Sequence, residues 1–262
     1  MLDHNTTLGY FPSIPWIPYY ASPRDWSVAL LTCESSGVRQ LAEQGLLDIT
    51  PMSTMDWFDL SDKWGRLNNW GIAFRGRAGS VLLFSNEPIE ELHQADIAIC
   101  DETTTSVRVL QALLKDKYGL GIGRWRRNVD IQDARTPRLL IQNQAVEELN
   151  RKRFRYVYDL GREWWDWQGT PIVPAVWVYR TGLDPALVSA AHELLEASVA
   201  RYRKDPVGAI LAHKGDHGWA AGVQDVVQLH KNFEYALSDE SLRGIDRMRA
   251  ALPREVEGFT AR

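Results

Sequence analysis

Ser80-Val-Leu-Leu-Phe-Ser85 and, after a short connection, Ile97-Ala-Ile-Cys-Asp-Glu-Thr-Thr-Thr-Ser-Val107 carry the reading of the fold. Two apolar runs of strand length lead into a cluster of hydroxyl residues. A helical pattern follows at once, with Val107, Leu110, Leu113 and Leu114 on one face and Gly119 as its stop. A helix start leaves backbone N–H groups unpaired and aims the positive end of the helix dipole at the same spot. A strand that empties into such a start is an anion cradle. The stretch therefore points to a protein that grips a small carboxylate-bearing molecule.

The same alternation extends outward in both directions. Before it, strands are expected at Leu8–Phe11, Ser27–Thr32, Leu46–Ile49, Trp70–Phe74 and Ser80–Phe84. Pro12-Ser-Ile-Pro-Trp-Ile-Pro18 reads as a turn in which neither helix nor ladder continues. Ser35 or Ser36 is placed to cap a short helix that stops at Gly45, and Met55–Leu60 supplies another turn or two of helix. After the stretch, strands are expected at Arg138–Ile141, Tyr156–Asp159 and Pro174–Tyr179. Helices are expected at Ala145–Asn150, at Glu163–Trp167 and after the Asp184-Pro185 start signal. From Val207 to Leu252 the pattern reads as helix, broken at Gly215, Gly218 and Gly222.

This order predicts an α/β protein with mainly parallel sheets, built as two lobes with a ligand cleft between them. Crossovers near Phe84–Pro88 and near Pro174–Tyr179 would make residues 1–86 plus 175–262 one discontinuous lobe and residues 87–174 the other.

A formal net charge of −4 provides no global basic field, so neither nucleic acid nor an anionic membrane is expected as a partner. The cluster Arg124-Trp-Arg-Arg127 reads as a solvated loop. Two cysteines, Cys33 and Cys100, supply neither a disulfide framework nor a metal-binding pair. No apolar run has the length of a membrane span, and Met1–Thr7 lacks the pattern of a secretory signal, so a cytoplasmic location is expected.

Several segments together resemble one family. They are Leu8-Gly-Tyr-Phe11, Leu47-Asp-Ile-Thr-Pro-Met-Ser53, Ser80-Val-Leu-Leu-Phe-Ser85 with Pro88-Ile-Glu-Glu-Leu92, Thr104-Thr-Ser-Val107, Asp159-Leu-Gly161 and Trp167-Gln-Gly-Thr-Pro-Ile-Val-Pro-Ala-Val-Trp177. In order and spacing they are similar to the menaquinone-biosynthesis enzymes of the futalosine route, above all the chorismate dehydratases. The resemblance implies a two-lobed, type II periplasmic-binding-protein-like fold. It also implies a lyase that removes water from chorismate to give 3-[(1-carboxyvinyl)oxy]benzoate without a metal or organic cofactor, in a monomer or loose dimer. The substrate-binding positions it implies are Ser80 and the hydroxyl loop Thr103, Thr104, Thr105 and Ser106. Pro15, Ser53, Gln142, Asn143 and Trp177 complete the set.

The chain departs from the family at three of its loops. Pro15 stands where the family usually has an asparagine, Asp101-Glu102 precedes the hydroxyl cluster, and Gln142-Asn143 replaces a pair that begins with glycine. Two other readings therefore stay open. One is a divergent paralogue acting on another aromatic or cyclohexadienyl carboxylate. The other is a non-catalytic intracellular binder of a small molecule.

The remaining candidates have weaker signals. His213 and His217 have the i, i+4 spacing of a helical metal pair, but Gly215 and Gly218 favour a polar loop there. Arg75 and Arg77 flank the turn before Ser80 and would either reach a carboxylate or cover a solvated hairpin tip. Trp164, Trp165, Trp167 and Trp177 divide between ring stacking and core packing.

Overall fold

The computed structural model describes residues 5–21, 26–100, 103–127, 129–130 and 133–258. Asp101 and Glu102 lie outside the described residues. Two mixed sheets organise the chain. The first contains β1 (Thr7–Tyr10), β2 (Ala29–Thr32), β3 (Ile49–Ser53), β4 (Trp64–Phe74), β10 (Ile172–Arg180) and β11 (Phe233–Ala236), in the order β11-β4-β10-β3-β1-β2. The second contains β5 (Val81–Ser85), β6 (Ile97–Ile99), β7 (Trp125–Arg126), β8 (Arg138–Ile141) and β9 (Tyr156–Asp159), in the order β7-β6-β8-β5-β9.

The sheets are not mainly parallel as expected. β1 runs parallel to β2 and β3, and β6 runs parallel to β7 and β8. β10 is antiparallel to β3 and β4, β11 to β4, and β5 to β8 and β9. The antiparallel pairs arise because the chain changes sheet twice and returns each time as an inserted strand. Both passages also differ in place from the expected ones, since Pro174–Tyr179 lies within β10 of the first sheet. Phe84 pairs with Arg138 and Val157 inside the second sheet, so the chain crosses between Phe74 and Val81 and comes back between Asp159 and Ile172.

Proline placement explains two local differences. Pro51 does not end a strand at Ile49; β3 runs through it. Its ladder to β1 is confined to Ile49 opposite Leu8, so Pro51 has no N–H to offer where none is needed. Pro174 sits at the register shift of β10 against β4, where the ladder is already interrupted. In place of the expected turn, Ile14–Tyr20 is a 3-10 helix whose seven residues are all buried. Pro15 occupies its first turn, where a missing N–H costs nothing, and the whole segment is buried.

The helices are α1 (Val38–Glu43), α2 (Thr54–Leu60), α3 (Thr105–Ala112), α4 (Gln142–Arg151), α5 (Leu160–Gln168), α6 (Pro185–Lys204), α7 (Pro206–His217), α8 (Val223–His230) and α9 (Asp239–Ala251). α3 runs on into a π-helical turn, Leu113–Lys117, before Gly119 stops it with φ of 68°. α1 begins at Gly37 without a side-chain cap, so neither Ser35 nor Ser36 has the role assigned from sequence. Asp184 caps α6 as expected, and Ser238 caps α9. β11 was not expected. Phe233-Glu-Tyr-Ala236 alternates over only four residues between two helices, and it forms an edge strand on β4.

Trp164, Trp177, Tyr19 and Phe84 are among the largest fully buried side chains. Tyr19 locks the first sheet from within. Its hydroxyl donates to the carbonyls of Gly71 on β4, at 2.5 Å, or of Tyr235 on β11, at 2.6 Å, and accepts the Gly71 amide at 3.0 Å.

Candidate functional site

A cleft of about 640 Å³ opens between the two sheets. From the side of the first sheet come Phe11 beyond β1, Pro15 and Trp16 of the 3-10 helix, Pro51 to Ser53 of β3, Ile72 and Phe74 of β4, and Pro174 and Ala175 of β10. From the side of the second come Ser80 and Val81 at the start of β5, Thr104, Thr105 and Ser106 at the start of α3, and Ile141 and Gln142 where β8 becomes α4. Ser35, in the connection from β2 to α1, completes the rim.

The cradle stands at the start of α3. Thr104 is the N-cap and makes no side-chain capping bond, so helix geometry leaves the amides of Thr105, Ser106 and Val107 without intrahelical partners. The hydroxyls of Ser80, Thr104 and Ser106 make no hydrogen bond to other described residues, and all three residues line the cleft. The Thr105 hydroxyl is committed elsewhere: it donates to Pro174 O at 3.1 Å and so ties the start of α3 to β10. Among the described residues no charged side chain lines this cleft. Among the described residues, amides, hydroxyls and the dipole of α3 are what would hold an anion there.

Ser80 is placed by a clamp. The Asp159 carboxylate accepts the amides of Ala78 at 2.8 Å and Gly79 at 2.6 Å, immediately before Ser80. The same carboxylate caps α5 by accepting the amides of Gly161 and Arg162. Its pKa is raised by burial, against the pull of these four amides. A single side chain thus fastens both ends of the passage between sheets. Ser53 is fixed in a similar way at the other wall: its hydroxyl donates to Asp56 Oδ2 at 2.8 Å and accepts the Asp56 amide at 3.1 Å. Burial raises the pKa of Asp56, with Ser53 and Arg39 opposing.

The residues expected from sequence therefore divide. Ser80, Thr104, Thr105, Ser106, Pro15, Ser53 and Gln142 meet in the cleft. Thr103 does not; its Oγ1 bonds Cys100 O at 2.9 Å and turns away. Trp177 does not either. It lies on the face of β10 that packs on Trp16, Tyr19 and Tyr20, and it is fully buried. Asn143 faces the cross-cleft contact instead: its Oδ1 accepts the Ile14 amide at 2.9 Å. Arg75 and Arg77 are exposed; Arg75 packs on Trp165 and approaches Glu240 at 3.5 Å. The solvated loop expected at Arg124–Arg127 is instead the edge strand β7, in which Trp125 is buried and only the flanking Arg124 and Arg126 reach outward to pair with Asp96. Trp16 was missed. It stacks on Phe11 at 5.4 Å, and the two rings form one wall of the cleft. The signal was a tryptophan flanked by prolines, which reads as a turn until the 3-10 helix is seen.

His213 and His217 lie on α7, which runs as helix through Gly215. Among the described residues no group of three or more His, Cys, Asp or Glu side chains is arranged to hold a metal. Burial holds the His213 pKa down to about 4, helped by His217.

A model of the family described as menaquinone biosynthesis matches residues 7–253. The chain belongs to this menaquinone-biosynthesis family. A chorismate dehydratase of Thermus thermophilus is 28% identical over 236 residues, covering 82% of this chain and 83% of the relative. Solved structures agree on the fold. A protein of Archaeoglobus fulgidus matches with a TM-score of 0.76 at 14% identity, covering 94% of this chain and 95% of its own. The periplasmic aliphatic sulphonate binding protein of Escherichia coli matches with a TM-score of 0.66 at 13% identity, covering 97% and 95%. The chain thus has a periplasmic-binding-protein-like α/β fold. Among the described residues no helix is long and apolar enough to cross a membrane.

Proposed function

We propose that this member of the family is a cofactor-independent carbon–oxygen lyase that dehydrates chorismate to 3-[(1-carboxyvinyl)oxy]benzoate. The observation that carries the reading is the cradle: free hydroxyls of Ser80, Thr104 and Ser106 beside the unpaired first-turn amides of α3, in a cleft whose described lining has no charge. Such a site suits a ring carboxylate, which brings its own charge. An acidic lining would repel it, and a lysine or arginine there is unnecessary when amides and a dipole converge.

The reaction needs little more than this. One C–H and one adjacent C–O bond of the cyclohexadiene break, water leaves, and the ring becomes aromatic. In a cleft whose described lining offers no base, the substrate's own second carboxylate takes the proton. The protein's task is to hold the ring against the wall of Phe11 and Trp16, keep the hydroxyl and the proton aligned, and exclude water as the two lobes close. In this reading the lobes are the two halves built on the two sheets.

Pro15 supports a second reading. It lines the cleft where the family usually offers an amide, so one donor and one acceptor are absent from the wall. A paralogue acting on a different aromatic or cyclohexadienyl carboxylate fits that change.

Incubation with chorismate, followed by mass spectrometry, tests the first reading. A product lighter by one water is expected, and the Ser80→Ala variant should form it more slowly. Unchanged chorismate alongside tight binding of another aromatic acid would favour the paralogue; unchanged chorismate with chorismate bound would favour a binder.

A further inference from the structure

Gln142 joins the two halves of the molecule across the mouth of the cleft. Its Nε2 donates to Ser35 Oγ at 3.0 Å, and its amide donates to Ser80 O at 2.8 Å. Its backbone has φ of 55°, a left-handed conformation that a side chain with a Cβ adopts rarely. A residue kept in such a conformation is held by its contacts, and those contacts point to a role.

Beyond the Gln142–Ser35 bond lies a second cavity of about 520 Å³. Phe11, Ser35, Ile141 and Gln142 border both spaces. The chemistry changes across this border. The cleft is lined by apolar groups and hydroxyls, whereas Glu34 lines the second cavity with Ser13, Asn143 and Gln144.

We infer that Gln142 is a specificity residue. Hooked onto Ser35, its side chain is a bar that divides one groove into an uncharged compartment for the ligand and an acid-bearing compartment beyond. It therefore sets the length of carboxylate that the cleft accepts. This inference rests on the carboxylate reading of the cleft. The neighbouring Asn143–Ile14 bond is a separate tie between the halves, so removing the bar does not by itself release them.

Gln142→Gly tests it. Glycine adopts φ of 55° freely, so the backbone and its bond to Ser80 O are retained while the bar is lost. Calorimetry with two probes, benzoate and the longer biphenyl-3-carboxylate, reads the effect. The parent protein should prefer benzoate. The ratio of biphenyl-acid affinity to benzoate affinity should rise about tenfold in the variant. Ser35→Ala, which removes only the hook, should shift the same ratio in the same direction. An unchanged ratio in both variants would overturn the inference. Binding of neither acid by the parent would count against the carboxylate reading instead. The bar is then judged by a crystal structure of Gln142→Gly: one continuous groove supports it, and two separate cavities refute it.

Discussion

The Asp159 carboxylate accepts the Gly79 amide at 2.6 Å, across a sequence separation of 80 residues, and thereby fixes the residue that precedes Ser80. This bond joins the start of β5 to the end of β9, where the chain leaves one sheet and where it prepares to return. The cleft hydroxyl of Ser80 is thus placed by a carboxylate that does not line the cleft.

Asp159→Asn should weaken this clamp, because a neutral amide oxygen accepts less strongly than a carboxylate and its NH2 group must face N–H donors. Hydrogen bonds to a charged group contribute about 1.5–3 kcal/mol, so a loss of about 2 kcal/mol in urea unfolding is expected, together with weaker ligand binding. Stability within about 0.5 kcal/mol of the parent would remove the clamp from the account.

Ser106→Ala and Ser80→Ala remove hydroxyls that make no hydrogen bond to the described residues. Folding stability should change by less than about 1 kcal/mol in each. Affinity for a carboxylate ligand should fall about tenfold or more, measured by calorimetry, since each loses a charge-assisted bond. Ser61→Ala, on the exposed end of α2, is the control and should alter neither.

Trp177 provides the contrasting case. It is fully buried against Trp16, Tyr19 and Tyr20, so Trp177→Ala should cost about 3–5 kcal/mol by leaving a cavity. Trp177→Phe should fold, and its ligand affinity should stay within about threefold of the parent. A large affinity loss in a stably folded Trp177→Phe would return this residue to the site.

Stability should fall on mild acidification. His230 is buried; its Nε2 donates to Ile14 O at 2.8 Å, and in the neutral ring its Nδ1 accepts from the Tyr202 hydroxyl at 2.6 Å. Burial lowers the pKa values of His230 and His213 to about 4. Unfolded histidines take up protons near pH 6.5, so between about 6.5 and 4 the unfolded chain binds more protons than the folded one. Each histidine then removes up to about 3 kcal/mol of stability as pH drops through that window. The raised carboxyls of Asp56 and Asp159 act in the opposite direction, so the comparison is with His230→Gln. Its urea-unfolding free energy should depend less steeply on pH than the parent's, and identical slopes would contradict the assignment.

The hydroxyl cluster at the start of α3 was legible in the sequence because the arrangement is local. A strand, a run of hydroxyls and a helix start are adjacent in the chain, and they remain adjacent in space. The same holds for Asp184 and Ser238, each of which caps the helix that follows it. What the sequence concealed depends on pairing partners far away. Whether Pro51 can sit within a strand depends on where β1 stops pairing with β3. Whether Trp177 faces ligand or core depends on which face of β10 meets the Ile14–Tyr20 helix. The side on which β5 lies was hidden for the same reason, since its partners Arg138–Ile141 and Tyr156–Asp159 come more than 50 residues later. The roles of Thr103 and Thr104 differ by one residue of helix phase, which no run of identical residues can reveal.

A crystal structure with 3-[(1-carboxyvinyl)oxy]benzoate tests the central claim most directly. The account predicts the ring carboxylate within about 3 Å of the Ser106 amide and of the Ser80 or Ser106 hydroxyl, with the ring against Phe11 and Trp16. A ligand bound outside the cleft between the two sheets, or one whose carboxylates both point away from the start of α3, would contradict it.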